Sequence, residues 1–265
     1  MSLRQMAPRC TSRAISLSLP PVVGLSGGEH VCPPRCLDTV GAIEMSIAET
    51  TKAMLKKYEI GSKFSYLSSL PKASVLIPLF VRNGELRVLM TVRSQELNTS
   101  GGEVCFPGGK YDPMDHNEID TALREAGEEI GLPPDQVEVV CRLFPVMSKT
   151  GIVVTPVVAF IKESFQAQPN PEEVSDIFSV PLDYFINPAL HTSHAMPGQP
   201  VRNHFFTYQD NESGKSYLIW GLTATLALLV AVLALEKKPS FPVGFNIEDP
   251  LPHFQRSLDQ WRSRL

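Results

Sequence analysis

Two apolar runs joined by Asn83-Gly84 constrain the fold of this chain most strongly. The runs are ASVLIPLFV and ELRVLMTVR, and they are rich in the β-branched and large apolar residues that favour strands. An Asn-Gly pair accepts the positive φ angles of a primed two-residue turn, whose twist matches that of paired strands. The segment therefore predicts an antiparallel β-hairpin, in a folded core that begins near Lys72.

Further strands and two main helices are expected after this hairpin. The strands are predicted at residues 137–146, 151–161, 203–209 and 215–220, with a strand entering a helical turn at 177–186. The helices are predicted at residues 118–130 and within 217–235. This mixture indicates the α/β class, and an α/β/α sandwich fits it.

The helix at 118–130 has clear start and stop signals. Apolar residues recur at helical spacing: Ile119, Ala122, Leu123, Ala126 and Ile130. Asn117 is a suitable N-cap, and Asp120 stands where a capping box has its acid. Gly131 followed by Pro133-Pro134 ends the helix.

Three glutamates of this helix, Glu125, Glu128 and Glu129, are spaced to meet at one edge of its exposed side. Like charges at these spacings destabilise a helix by about 0.2–0.5 kcal/mol each. Gly127 costs roughly another 0.8–1 kcal/mol relative to alanine. A solvated acidic face is one interpretation. A site for a hard divalent cation, Mg²⁺ or Mn²⁺, is the other, because such ions prefer carboxylate oxygens.

The stretch GGKYDPMDHNEIDTALREAGEEIGL resembles the Nudix box. Its second half matches that pattern at Arg124, Glu125, Ala126, Glu128, Glu129, Gly131 and Leu132. Its first half has one residue more than the general pattern between Gly109 and Arg124. Asp115 best matches the first glutamate of the box, whereas strict counting from Arg124 gives His116.

The upstream stretch LMTVRSQELNTSGGEVCFPGG is similar to the signature of the coenzyme A diphosphatase branch of the Nudix family. Arg93, Gly102, Gly108 and Gly109 fit that signature. Asn98 stands in place of its second arginine. An arginine can hold a phosphate with two parallel hydrogen bonds, so this change predicts weaker binding of coenzyme A without loss of the chemistry.

The resemblance implies a Nudix α/β/α sandwich with a mixed sheet. It also implies metal-dependent hydrolysis of coenzyme A and acyl-CoAs to 3′,5′-ADP and (acyl-)4′-phosphopantetheine. The implied metal ligands are Glu125, Glu128 and Glu129, and Arg124 orients a glutamate. Gly108 and Gly109 allow the tight turn before the helix and bring backbone near phosphate, and Arg93 contacts the nucleotide. Glu173, or its neighbour Glu172, is the expected additional acid on a later loop.

Non-catalytic interpretations of these residues stay open. Arg124 can be an ordinary ion-pair partner of Glu128, and Arg93 and Glu173 can be ordinary surface charges. Phe106 is expected in the core. At the level of function, the alternatives are a Nudix hydrolase of ADP-ribose or another nucleoside diphosphate derivative, and a catalytically weak binding module.

Residues 217–235 contain no charged side chain and are long enough for a membrane span. Gly221 and Thr223 instead indicate a junction between a strand and a helix, with Thr223 as the N-cap. The remaining dozen apolar residues are more typical of a buried core helix. The chain is therefore predicted to have no membrane span.

Composition narrows the classes of partner and compartment. A net charge of −4 disfavours a nucleic-acid partner, which usually meets a basic surface. The resemblance to the coenzyme A diphosphatase branch implies a small-molecule substrate. The five cysteines are odd in number and irregularly spaced, which is typical of a reducing compartment.

The chain divides into four predicted regions. Residues 1–44, rich in Ser, Pro and Gly, are expected to be a disordered extension, since Met45 resembles a natural start. Residues 45–71 form a helical lead-in, 72–240 the Nudix domain, and 241–265 a tail.

The tail ends in Ser263-Arg264-Leu265, which resembles the address read by the peroxisomal import receptor. Peroxisomal members with such an ending occur in the coenzyme A diphosphatase branch, so the peroxisome is the expected location. The competing signal is N-terminal: Arg4, Arg9 and Arg13, with no acid among the first 28 residues, weakly resemble a mitochondrial transit peptide.

Overall fold

The computed structural model describes residues 35–67, 69–195 and 202–263. The helices are α1 (Arg35–Lys56), α2 (Glu118–Ile130), α3 (Gly221–Leu235) and α4 (Leu251–Arg262). The strands are β1 (Lys72–Arg82), β2 (Glu85–Arg93), β3 (Val104–Cys105), β4 (Gly108–Lys110), β5 (Val137–Arg142), β6 (Val146–Met147), β7 (Val153–Ile161), β8 (Val174–Pro181), β9 (His191–Ala195), β10 (Arg202–Gln209) and β11 (Ser216–Trp220).

The central sheet is mixed. Strand β1 pairs antiparallel with β2 and β4 and parallel with β7. Strand β2 also pairs with β3 and β8, and β7 with β5 and β6, all antiparallel. The predicted hairpin is confirmed, because β1 and β2 meet at Asn83 and Gly84 with φ angles of 54° and 73°. Strands β9, β10 and β11 form a second, antiparallel sheet.

Alternate residues of the central strands pack into two separate hydrophobic clusters. Leu76 and Phe80 of β1 pack with Ala126 and Ile130 of α2. Ile77 and other strand residues pack with α1 and α3. Helices therefore cover both faces of the sheet, as the sequence predicted.

Helix α3 lies inside the larger of these clusters. Ala224 and all residues from 226 to 234 are buried, so the expected core helix is confirmed. In the described part of the chain, no helix combines the length and apolarity that a membrane crossing needs. The expected N-cap is wrong. Trp220 occupies that position, and Thr223, inside the helix, donates through Oγ1 to the carbonyl of Val104 at 3.0 Å.

The FPGG segment fills the gap where β1 and β2 separate. Cys105 pairs with Thr91 of β2, Gly108 pairs with Val75 of β1, and the amide of Leu76 donates to the carbonyl of Pro107 at 2.8 Å. A Cβ atom on Gly108 would lie 2.3 Å from the carbonyl oxygen of Ser74. Only glycine fits at this position, because the backbone of the segment lies directly against the backbone of β1.

The N-terminal boundary differs from the prediction. Residues 35–44, expected to be disordered, form the first turns of α1, so the folded part begins before Met45. Residues 1–34, with Arg4, Arg9 and Arg13, lie outside the described residues. The predicted tail, residues 241–265, contains a loop followed by α4. The boundaries proposed near 72 and 240 stay predictions.

Candidate active site

Helix α2 begins and ends at the predicted residues. The Asn117 side chain accepts hydrogen bonds from the amides of Ile119 and Asp120, at 2.8 and 3.1 Å. Gly131 ends the helix in the left-handed conformation, with φ of 67°. These caps fix the register of the helix and hence the directions of its glutamates.

Glu129 is the most buried acid of the helix, with 3% of its surface exposed. Its Oε2 accepts a hydrogen bond of 3.2 Å from the amide of Gly108. Burial raises the pKa of Glu129 to about 8, and repulsion from Glu125 and Glu173 contributes. A carboxylate in this position is stabilised by a proton or by a cation.

Glu125 lies against the second glycine of the FPGG segment. A Cβ atom on Gly109 would be 2.4 Å from Oε2 of Glu125, so only glycine leaves room for this carboxylate. Burial raises the pKa of Glu125, and repulsion from Glu128 and Glu173 adds to the effect. Arg124 opposes it through an ion pair of 3.0 Å.

Glu173 reaches the same site from the loop before β8. The amide of Asn170 donates to the carbonyl of Glu129 at 2.9 Å, and the amide of Glu173 donates to the carbonyl of Asn170 at 3.0 Å. The amide of Ser94 then donates to the carbonyl of Glu173 at 2.8 Å. The loop is thereby fastened to α2 and to the end of β2. Glu172 is exposed, so Glu173 is the better candidate of the two.

Arg124 is held among three carboxylates. It donates to Asp115 through Nε and Nη2, at 3.0 and 3.1 Å, and to Glu128 through Nη1 at 3.0 Å. Its pair with Glu125 completes the set. Hydrogen bonds from Arg124 are the largest cause that lowers the pKa of Asp115 to about 2. The geometry fits the predicted orienting role and also includes the ordinary pair with Glu128.

Asp115 rather than His116 takes the position of the first acid in the box. Asp115 is buried and also accepts a hydrogen bond of 2.9 Å from the hydroxyl of Thr121. The His116 side chain is 86% exposed. The role of Thr121 could not be predicted from the sequence, because no local pattern indicates that its hydroxyl bonds Asp115.

Arg93 lies on the strand face that carries Thr91 and borders the acids. Its charge is close enough to Glu129 and to the thiol of Cys105 to favour the ionised form of each. In the described residues its Nε is the buried side-chain donor that has no partner. Such a donor costs about 1–3 kcal/mol, which a ligand oxygen would recover. Asn98 is exposed on the following loop, and Phe106 is buried in the core, as predicted.

The donor set fits a divalent cation, although the side chains are not gathered around one position. Over the ranges that the structure describes, no three His, Cys, Asp or Glu side chains form a ready-made metal cluster. Glu125, Glu129 and Glu173 nevertheless repel one another, and all three offer hard oxygen donors. Glu128 is exposed and paired with Arg124, so it lies at the rim of this group.

Comparison with known proteins agrees with this geometry. Residues 70–198 match the NUDIX domain. The mouse protein named Peroxisomal coenzyme A diphosphatase NUDT7 is 46% identical over 225 residues, which cover 84% of this chain and 94% of that protein. The chain belongs to the Nudix hydrolase family. Divalent metal ions serve this family in hydrolysis, which agrees with the acidic donor set.

Other Nudix relatives match over a shorter range. Nudix hydrolase 15, mitochondrial, of Arabidopsis thaliana is 41% identical over 175 residues, covering 64% of this chain and 61% of that protein. A Photorhabdus laumondii protein named Uncharacterized Nudix hydrolase NudL is 40% identical over 158 residues, covering 58% and 80%. The Nudix match ends at residue 198, whereas α3, which follows it, packs inside the same core as the hairpin.

Proposed function

We propose that this chain hydrolyses the diphosphate bond of coenzyme A and acyl-CoAs to 3′,5′-ADP and (acyl-)4′-phosphopantetheine. The strongest support is the 46% identity, over nearly its whole length, to a protein named a coenzyme A diphosphatase. Glu125, Glu129 and Glu173, which lie near enough to repel one another, support the same chemistry, since a cation held by these acids would neutralise the diphosphate.

Some of these residues would bind a cation, and the others position the cation ligands or bind the substrate. Glu125, Glu129 and Glu173 would hold Mg²⁺ or Mn²⁺, with Glu128 at the rim. When bound, such an ion supplies charge neutralisation at the phosphate oxygens and lowers the pKa of a water. Arg124, fixed by Asp115, keeps Glu125 in place. The unpartnered Nε of Arg93 donates to a phosphate oxygen.

Two alternatives lead to different substrates or to none. A Nudix hydrolase of ADP-ribose is favoured by Asn98, which removes one phosphate-binding arginine from the coenzyme A signature. A weak binding module would gain stability by losing one of the mutually repelling acids, and all of them are present.

The test is incubation of the protein with coenzyme A, acetyl-CoA and ADP-ribose in the presence of Mg²⁺ or Mn²⁺, followed by mass analysis of the products. We expect 3′,5′-ADP from both coenzyme A substrates. Preferential cleavage of ADP-ribose would overturn the substrate assignment. Absence of any cleavage would leave the binding module.

We also propose a peroxisomal location. Ser263 is exposed just after α4, and Arg264 and Leu265 lie outside the described residues. The name of the mouse relative supports this location. A fluorescent fusion that retains residues 263–265 should enter peroxisomes, and one without them should not. Import of the truncated fusion into mitochondria would favour the N-terminal arginines instead.

A further inference from the structure

A groove of about 460 Å³ lies beside the end of β2, on the sheet face opposite to α2. Val92 and Val104, which belong to the core cluster of α3, line it from the central sheet. Tyr217, Leu218 and Trp220 of β11 line it from the second sheet. Leu218 is 50% exposed, so its side chain is accessible to a ligand.

The β11 side of the groove presents Leu218 and Trp220 beside the polar Ser216. The rings of Trp220 and Phe205 stack with their centroids 6.1 Å apart and nearly parallel planes. The ammonium of Lys149 lies 4.9 Å from the centroid of the Trp220 ring. Within the sheet, Leu218 pairs with Thr207 and Trp220 with Phe205, so their side chains share one face.

The groove adjoins the candidate active site through the backbone of Arg93. The amide of Arg93 donates to the carbonyl of Glu103, and the amide of Gly102 donates to the carbonyl of Arg93, both at 3.0 Å. Gly102 and Glu103 line the groove. Val92 lines the groove, whereas Arg93, at a register shift in the pairing of β2 with β8, lies near enough to Glu129 to act on its charge. A ligand that extends past this strand end can therefore contact both the groove and the acids.

The charge of the groove decides which part of a substrate fits it. Glu103 and Asp176 line it, and none of the described residues lining it is a lysine or arginine. Asp176 accepts hydrogen bonds from Lys215 at 2.7 Å and from Tyr217 at 2.9 Å, so Lys215 is already paired. The described lining residues therefore offer no lysine or arginine to the phosphates of the nucleotide half, although the ammonium of Lys149 lies above the ring of Trp220. The groove suits the uncharged half, an amide-containing chain that ends in an apolar group.

We propose that this groove binds the pantetheine arm and acyl chain of an acyl-CoA, with Leu218 and Trp220 contacting the acyl chain. This inference rests on the proposed function and adds the subsite that sets preference among acyl-CoAs. The diphosphate lies at the acids, the strand end at Arg93 separates the two halves, and the acyl chain lies along β11.

The first test compares Leu218→Asn with Leu190→Asn, which changes an equally exposed leucine, 52% accessible, outside the groove. We expect Leu218→Asn to lower kcat/KM for dodecanoyl-CoA about tenfold while changing that for coenzyme A less than about twofold. Leu190→Asn should change neither. Equal values for both substrates in Leu218→Asn and the unchanged protein would overturn the groove assignment.

The second test is a binding measurement that does not depend on turnover. The chain has two tryptophans, so Trp261→Phe leaves Trp220 as the fluorescent reporter. We expect dodecanoyl-CoA, added without metal, to change its emission, and coenzyme A to have much less effect. No change with dodecanoyl-CoA would overturn the inference. Cleavage of neither coenzyme A nor acyl-CoA would overturn the proposed function, whereas cleavage of both with unchanged selectivity in Leu218→Asn overturns the groove alone.

Discussion

Asp115 and Arg124 are joined by two hydrogen bonds, of 3.0 and 3.1 Å, and this pair anchors the arginine beside Glu125 and Glu128. Asp115 is buried and also bonded to Thr121, so it cannot follow the arginine if the arginine moves. The position of Arg124, and through it that of Glu125, is therefore set by Asp115.

Replacing that acid should affect catalysis indirectly. Asp115→Asn keeps the shape and removes the charge, and we expect kcat to fall about 10–100-fold, as for other residues that orient ligands. KM should change less. Asp112→Asn, at an exposed neighbour, is the control and should leave kcat unchanged. Equal kcat for Asp115→Asn and the unchanged protein would remove the orienting role.

Two glycines of the site region should respond to alanine in opposite ways. Gly109→Ala places a Cβ atom within 2.5 Å of three carboxylate atoms of Glu125, so we expect kcat/KM to fall about a hundredfold. Gly127→Ala has 3.6 Å of clearance, and alanine favours a helix, so unfolding should cost about 0.5–1 kcal/mol more. Calorimetry and steady-state kinetics on both variants test this contrast.

Removing the most buried acid should stop turnover. Glu129→Gln keeps an acceptor for the Gly108 amide but loses the charge. We expect a loss of activity greater than about a hundredfold, since even outer partners of metal ligands cost about 10–100-fold. Circular dichroism should show the fold intact. Retained activity would exclude Glu129 from the metal site.

Restoring the missing arginine should strengthen substrate binding. Asn98→Arg adds a cation on an exposed loop that follows Arg93, and we expect KM for coenzyme A to fall about three- to tenfold. Asn98→Gln is the uncharged control. An unchanged KM in Asn98→Arg would mean that position 98 does not contact the substrate.

A pair of packed histidines, His204 buried and His191 half-buried, should make the fold sensitive to acid. The Nε2 of His204 donates to the carbonyl of Val243 at 3.2 Å, so its Nδ1 accepts from Nε2 of His191 at 3.0 Å. Burial, then the neighbouring His204 and Arg202, lowers the pKa of His191 to about 4. Burial and Arg202 lower the pKa of His204 as well.

The sign of the effect follows from proton counts. Unfolded histidine has a pKa of about 6.5, so between about pH 6.5 and 4 the unfolded chain binds more protons than the folded chain. Stability is therefore complete above that range and falls as the pH drops through it. Melting temperatures at pH 7.5, 6 and 5 should show a shallower fall in His204→Gln than in the control His194→Gln, whose histidine is exposed.

Local sequence patterns correctly predicted those turns and helix ends that depend on one or two neighbouring residues. The Asn83-Gly84 turn and the caps at Asn117 and Gly131 are set by backbone preferences of single residues, and the structure has them where expected. The N-cap at Thr223 was wrong because Gly221, with φ of 64°, lets the helix start directly from β11. A threonine two residues later then bonds across to Val104 instead.

Relationships between distant segments were not predictable in the same way. From the sequence, Glu173 is only an acid that follows a proline. The hydrogen bonds that connect its loop to Glu129 and Ser94 are seen only in the structure. Glu128 has the same helical spacing as Glu125, but the structure leaves it exposed and bonded to Arg124; its role as a metal ligand stays a prediction. Both outcomes depend on tertiary contacts that no spacing rule encodes.

The FPGG segment, seated between β1 and β2, ties the glycines of the site to the most central strand pairing of the fold. The amide of Leu76, bonded to Pro107, should consequently exchange with deuterium only when the whole domain opens. Heating or denaturant should then abolish catalytic activity and unfold the domain in a single transition, without an inactive folded intermediate.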